Sequence, residues 1–121
     1  MAAKKILVIE DEKAMAKALE TKLKHEGFDA HAVFDGEQGV GELSKGHYDL
    51  VLCDLVMPKM DGFEFLEAMK QKKLKAKVVI LSNLSQEEDK KRVSALGAID
   101  FFTKSNTSLA DIVKQVKKLI G

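Results

Sequence analysis

Short, unbroken apolar runs recur along this chain, separated by longer stretches with helical spacing, and that alternation leaves few folds open. The first run is Ile6-Leu7-Val8-Ile9; Met15, Ala18, Leu19 and Leu23 then lie on one face of a helix that Gly27 is placed to end. A second strand is expected over 29–33. The helix expected over about 36–44 is weak, because Gly39 and Gly41 each cost about 1 kcal/mol relative to Ala. Leu50-Val51-Leu52-Cys53 is continuous and stops abruptly at Asp54, as in a strand covered on both faces. Asp61, with Glu64 three residues on, forms a capping box for a third helix that buries Phe65, Leu66 and Met69. Val78-Val79-Ile80-Leu81 is the fourth strand, and Ser85 with Glu88 repeats the capping pattern before a helix that is polar until Val93 and Leu96. Residues 99–102 read as the fifth strand. Ser108 opens a last helix, with Leu109, Ile112, Val113, Val116 and Ile120 along one stripe.

Strict alternation of five strands with five helices predicts an α/β fold: a single doubly wound parallel sheet, right-handed crossovers, and helices on both faces. At 121 residues the chain encloses one core, so one domain is expected over 1–121. Twenty Lys and Arg against nineteen Asp and Glu leave a charge of +1, without the basic excess of a nucleic-acid binder. The basic stretch at 70–77 reads as a solvated helix end. Cys53, the single cysteine, excludes an internal disulfide and a multi-cysteine metal site, and fits a reducing compartment. The opening MAAKKILVIE has only four consecutive apolar residues before Glu10, too few for a signal-peptide core, and no run approaches membrane-spanning length. A cytoplasmic protein, neither exported nor embedded, is the expectation.

Open parallel sheets bind ligands beyond the carboxyl ends of their strands, where the strand order reverses. The residues falling at those ends are Glu10 and Asp11, Asp54, Ser82 and Lys104. Three crowded carboxylates repel one another unless a cation compensates them, which points to a hard divalent ion. Mg²⁺ suits a shallow site with few protein ligands. Neither Cys53 nor His25, His31 or His47 has the spacing of a Zn²⁺ site. A carboxylate such as Asp54 can attack phosphorus if charge on the transferring oxygens is neutralised. Lys104 can supply part of that neutralisation, Ser82 a hydroxyl proton, and Val56 a backbone carbonyl toward the metal. Each of these residues also has an ordinary reading: Asp54 as a turn former, Lys104 as a surface lysine, Ser82 as a loop serine, and Glu10 and Asp11 as helix-start acids.

Four segments together carry a resemblance: ILVIED (6–11), LVLCDLVMPKMDG (50–62), VVILS (78–82) and GAIDFFTK (97–104). From end to end the chain resembles a response-regulator receiver domain of two-component signalling, similar to stand-alone chemotaxis regulators. The resemblance implies a flavodoxin-like sheet of order 2-1-3-4-5. It implies phosphorylation of Asp54 by a histidine kinase or phosphotransfer protein, with Mg²⁺ held by Asp11, Asp54 and the Val56 carbonyl and assisted by Glu10. Ser82 and Lys104 would then read the phosphoryl group, and Phe101 matches the family's switch aromatic, although an aromatic in a terminal strand is also ordinary core. The output face would combine the fourth helix, fifth strand and fifth helix, acting on a downstream protein or on an effector domain outside this chain. On this reading the chain is a phosphoacceptor rather than an enzyme in its own right.

Two residues depart from the family's pattern: Ser105 stands where proline is usual, and Asn83 where a small residue follows the hydroxyl position. They keep open a degenerate receiver that binds its partner without phosphorylation. A small Mg²⁺-dependent aspartyl-phosphate hydrolase is the enzymatic alternative. Such enzymes carry a DxD pattern after the first strand, whereas Asp54 follows the third and precedes Leu55-Val56.

Overall fold

In a computed structural model of the chain, which describes residues 3–84 and 86–121, each apolar run becomes a strand. The strands are β1 (Lys5–Ile9), β2 (Asp29–Val33), β3 (Leu50–Cys53), β4 (Lys77–Ser82) and β5 (Asp100–Thr103). The helices are α1 (Lys13–His25), α2 (Gly36–Lys45), α3 (Gly62–Gln71), α4 (Glu87–Ala95) and α5 (Leu109–Ile120), with a 3-10 turn at Lys104–Asn106. All strand pairs are parallel and the order is β2-β1-β3-β4-β5, so the direction in which successive strands are added reverses between β1 and β3.

The unbroken apolar runs follow from coverage on both sides. Successive side chains in a strand point to opposite faces. Ile6 and Val8 therefore join Leu50, Leu52, Val79 and Leu81 under α1 and α5, in a cluster with Leu19, Leu23, Ile112 and Val116. Leu7 and Ile9 join Val51, Cys53, Val78 and Ile80 on the other face, under Leu43 of α2, Phe65, Leu66 and Met69 of α3, and Val93 of α4.

Local signals place most helix ends. Asp61 accepts from Glu64 N–H at 2.8 Å while Glu64 accepts from Asp61 N–H at 3.1 Å, completing the expected capping box of α3. Ser108 caps α5 through Asp111 N–H. Gly27 takes φ +96°, a left-handed conformation costly for other residues, and lets Phe28 N–H reach back to Leu23 O at the end of α1.

The weak second helix is real, and its glycine is part of the reason. Asp35 caps it by accepting from Gln38 N–H, and Gly39 lies so close to Ile9 of β1 that a Cβ there would collide with Ile9 Cδ1. The absent side chain that weakens the isolated helix lets it dock.

Two expectations need correction. β5 runs one residue later than expected: Ile99 precedes it and is 47% exposed, although its N–H still bonds Val78 O, while Thr103 completes it. α4 begins at Glu87 with Gln86 as its N-cap and no side-chain capping bond. The Ser85 half of the expected capping box lies outside the described residues.

Candidate functional site

Register brings the carboxylates together. Ile9 of β1 is level with Cys53 of β3, so Glu10 and Asp54 each lie one step beyond a paired position on these two adjacent strands. Asp54 N–H donates to Ile9 O at 3.1 Å and Glu10 N–H to Val33 O at 3.1 Å, which holds both main chains against the sheet. One carboxylate oxygen from each of Glu10, Asp11 and Asp54 lies within 4.8 Å of the others. Glu10 and Asp54 are buried, whereas Asp11 faces solvent.

Lys104 reaches into this group from the end of the edge strand β5. Its ammonium lies 2.8 Å from Asp54 Oδ2 and also contacts Glu10 Oε1. The other Asp54 oxygen accepts from Leu55 N–H at 2.7 Å and, more loosely, from Val56 N–H at 3.4 Å. Glu10 Oε2 accepts from Glu12 N–H at 3.0 Å.

Burial shapes the charges. It raises the Glu10 pKa above the ordinary carboxylate value, against the opposing hydrogen bonds from Lys104 and Glu12 N–H. For Lys104 burial disfavours the charged form, but hydrogen bonds to Asp54 and Glu10 outweigh it and hold its pKa above the usual lysine value.

One ammonium cannot balance three carboxylates, and the uncompensated charge lies at an open rim beside Asp11. An all-oxygen donor set of this kind fits a hard divalent cation. Val56, 62% exposed, lies on the same rim two residues after Asp54.

The loop after Asp54 is pinned by α3. Gly62 N–H donates to Leu55 O at 2.9 Å. A Cβ at Gly62 would stand 2.5 Å from Asp54 O and 2.8 Å from Leu55 Cα, so only glycine allows the helix to start against this loop.

The remaining expected residues are close by but not all engaged. Ser82 ends β4, buried, and its hydroxyl oxygen accepts from Leu84 N–H at 3.2 Å. Phe101, level with Ile80 on β5, is half-buried against the core, with Lys90 Nζ 5.7 Å from its ring centroid. Cys53 is fully buried, and burial pushes its thiol pKa well above the ordinary value, which agrees with inert packing.

Two features escaped sequence reasoning. The direct contact between Lys104 and Glu10 joins residues to which the resemblance gives separate partners, the metal for Glu10 and the phosphoryl group for Lys104. The bond between Asn83 and Ser105 joins two residues that the sequence shows only as separate departures.

A flavodoxin-like α/β domain with acidic groups and one lysine at its switch point is the class that fold and site define. Residues 6–117 match the response regulator receiver domain family, and the chain belongs to that family. It is 37% identical over 100 residues to the transcriptional regulatory protein DltR of Streptococcus agalactiae, a match covering 83% of this chain and 45% of that protein. The chain thus spans less than half the length of that curated relative. Among solved structures it is similar to the receiver domain of Francisella response regulator 1452, with a TM-score of 0.89 at 30% identity over 96% of this chain and 95% of that one. It is also similar to the response regulator TrrA from Thermotoga maritima in complex with Mg(2+)-BeF, with a TM-score of 0.82 at 30% identity over 97% and 99%.

Proposed function

We propose that this chain is a phosphorylation-activated switch of a two-component phosphorelay, with Asp54 as phosphoacceptor. The observation that carries this reading is the grip on Asp54: a buried carboxylate held by Lys104 and the Leu55 N–H, beside Glu10 and Asp11. In the transfer, a carboxylate oxygen of Asp54 attacks phosphorus. The bond from phosphorus to the donor's nitrogen or oxygen breaks, its electron pair leaves with the donor, and an acyl phosphate remains.

Bound Mg²⁺ would supply charge neutralisation on the transferring oxygens, and Asp11, Asp54 and the Val56 carbonyl would hold it with help from Glu10. The Mg(2+)-BeF complex of TrrA supports that assignment. Lys104 would pass from Asp54 to a phosphoryl oxygen, and Ser82 would exchange its bond from Leu84 N–H for one in which its hydroxyl donates to the phosphoryl group. The added charge of roughly −1.5 to −2 biases the loop toward that arrangement. Phe101 would follow inward, changing the face of α4, β5 and α5 that a downstream protein or an attached effector domain reads.

A histidine kinase or phosphotransfer protein in the cytoplasm would be the donor. The chain accepts a phosphoryl group and assists its own phosphorylation and dephosphorylation, without acting as an enzyme on a separate substrate. Among the described residues no helix is long and apolar enough to cross a membrane.

Incubation with Mg²⁺ and acetyl phosphate followed by intact-mass measurement tests the reading. The wild type should gain one phosphoryl group and Asp54→Asn none. An unmodified wild type would favour a receiver that works without phosphorylation, and turnover of small phosphomonoesters would favour a hydrolase.

A further inference from the structure

The two residues that depart from the family's pattern meet each other. Asn83 Oδ1 accepts a hydrogen bond from Ser105 N–H at 2.9 Å across 22 positions of sequence. Asn83 directly follows Ser82, and Ser105 directly follows Lys104. Ser82 and Thr103 form the last paired position between β4 and β5. The bond therefore adds one side-chain rung just past the sheet, between the loop carrying the hydroxyl and the turn carrying the ammonium. A proline at 105 has no N–H to give, and glycine or alanine at 83 has no side-chain acceptor.

The turn has little else to fix it. β5 is an edge strand with no fully buried residue, and none of the three residues of the Lys104–Asn106 turn is buried. Thr107 closes the turn locally, its hydroxyl donating to Thr103 O at 2.9 Å and its N–H approaching Lys104 O at 3.4 Å. Among the described residues, Asn83 makes the one side-chain hydrogen bond from another loop to this turn's backbone. At its other end Lys104 must still place its ammonium on Asp54 and Glu10.

We propose that Asn83 is a positioning residue for Lys104. Through Ser105 N–H it fixes the turn so that the ammonium stays on Asp54, and it ties that ammonium to the loop bearing Ser82. The inference rests on the phosphoacceptor reading for its consequence, because a well-aimed Lys104 speeds transfer to Asp54. Geometry of this kind matters strongly: a 1 Å misplacement can cost about a hundredfold in rate.

The test uses the full chain with Asn83→Ala, Asn83→Asp and Ser105→Pro, followed by amide exchange at Ser105, the NMR signal of the Lys104 ammonium, and the rate of phosphorylation by acetyl phosphate with Mg²⁺. Asn83→Ala should remove the exchange protection of Ser105, shift or broaden the Lys104 signal, and slow phosphorylation about tenfold. Asn83→Asp keeps an acceptor oxygen at the same reach and should keep the protection. Adding Asn83→Ala to Ser105→Pro should leave the rate within about twofold, because no donor remains to lose. An unmoved Lys104 signal in Asn83→Ala, or an equal slowing in the Ser105→Pro background, would overturn the positioning role. A wild type that accepts no phosphoryl group sinks the phosphoacceptor reading instead, and the two NMR signals still decide whether Asn83 aims Lys104.

Discussion

Lys104 stands fifty positions along the chain from Asp54, yet its ammonium is 2.8 Å from Asp54 Oδ2. The same nitrogen contacts Glu10, so one cation spans carboxylates from the adjacent strands β1 and β3. Burial opposes charge on Glu10 and Lys104 alike: at Lys104 the bonds to both carboxylates outweigh it, whereas at Glu10 burial prevails and raises the pKa. The site is thus a mutually dependent set, and removal of one member should expose the others.

Lys104→Met leaves two buried carboxylates facing each other. It should slow phosphorylation of Asp54 by acetyl phosphate about a hundredfold, the scale of losing one charge-stabilising donor. In metal-free buffer it should lower stability by about 3 kcal/mol, as expected when a buried pair is broken. Mg²⁺ should restore more stability to the variant than to the wild type, because a divalent cation takes over the uncompensated charge. Urea denaturation with and without Mg²⁺ measures this, and an equal metal effect on both proteins would contradict it.

Gly62→Ala tests how tightly α3 pins the loop after Asp54. The atoms the new methyl would meet, Asp54 O and Leu55 Cα, are backbone and cannot rotate away. The substitution should cost about 2–3 kcal/mol in urea denaturation despite the better helix propensity of alanine. It should also shift the Asp54 and Leu55 amide resonances. A neutral or stabilising result would mean that the loop yields freely.

The strands were legible because helices cover the sheet on both faces, which forces unbroken apolar runs such as Leu50–Cys53. β5 was displaced by one residue for the complementary reason. At the sheet's edge Ile99 is apolar without being buried, so hydrophobicity no longer marks the strand's start. Strand-end positions were enough to gather Glu10, Asp11, Asp54 and Lys104 on one rim, since register in a parallel sheet aligns them. Which side chains bond there depends on reach and turn geometry. That is why Lys104 on Glu10 and Asn83 on Ser105 emerged only in three dimensions.

Asp49 gives the fold a pH dependence at the opposite end of the sheet. Its carboxylate accepts from Lys5 N–H at 2.8 Å and from His47 Nε2 at 2.9 Å, while its own N–H donates to Lys5 O, joining β3's entry to β1. The Lys5 N–H and then His47 lower its pKa. A depressed carboxylate pKa stabilises the fold above the unfolded value of about 3.9, and that contribution is lost as pH falls through the folded value. Asp49→Ala should therefore cost about 1 kcal/mol at neutral pH, and the gap to wild type should close below about pH 4. Thermal unfolding across pH checks this; a constant gap down to acid pH would rule out the ionised carboxylate as its source.

Phe101 is the point where the site should act on the surface. Its half-buried ring touches the core on one side and carries Lys90 of α4 near the other, 5.7 Å from the centroid. A cation over a partly exposed ring is worth about 0.5 kcal/mol, which favours the half-buried position the ring holds here. Lys90→Ala should then raise the inward population about twofold. Mg²⁺ with beryllofluoride should move the ring further by drawing Ser82 toward Asp54. Fluorine NMR on fluorophenylalanine-labelled protein, with Phe101 assigned by substitution, reads the ring directly, while amide shifts report α4 and β5. Shifts confined to the Asp54 and Ser82 loops, with the ring unchanged in both experiments, would leave Phe101 as packing alone and the α4 face uncoupled from the acceptor.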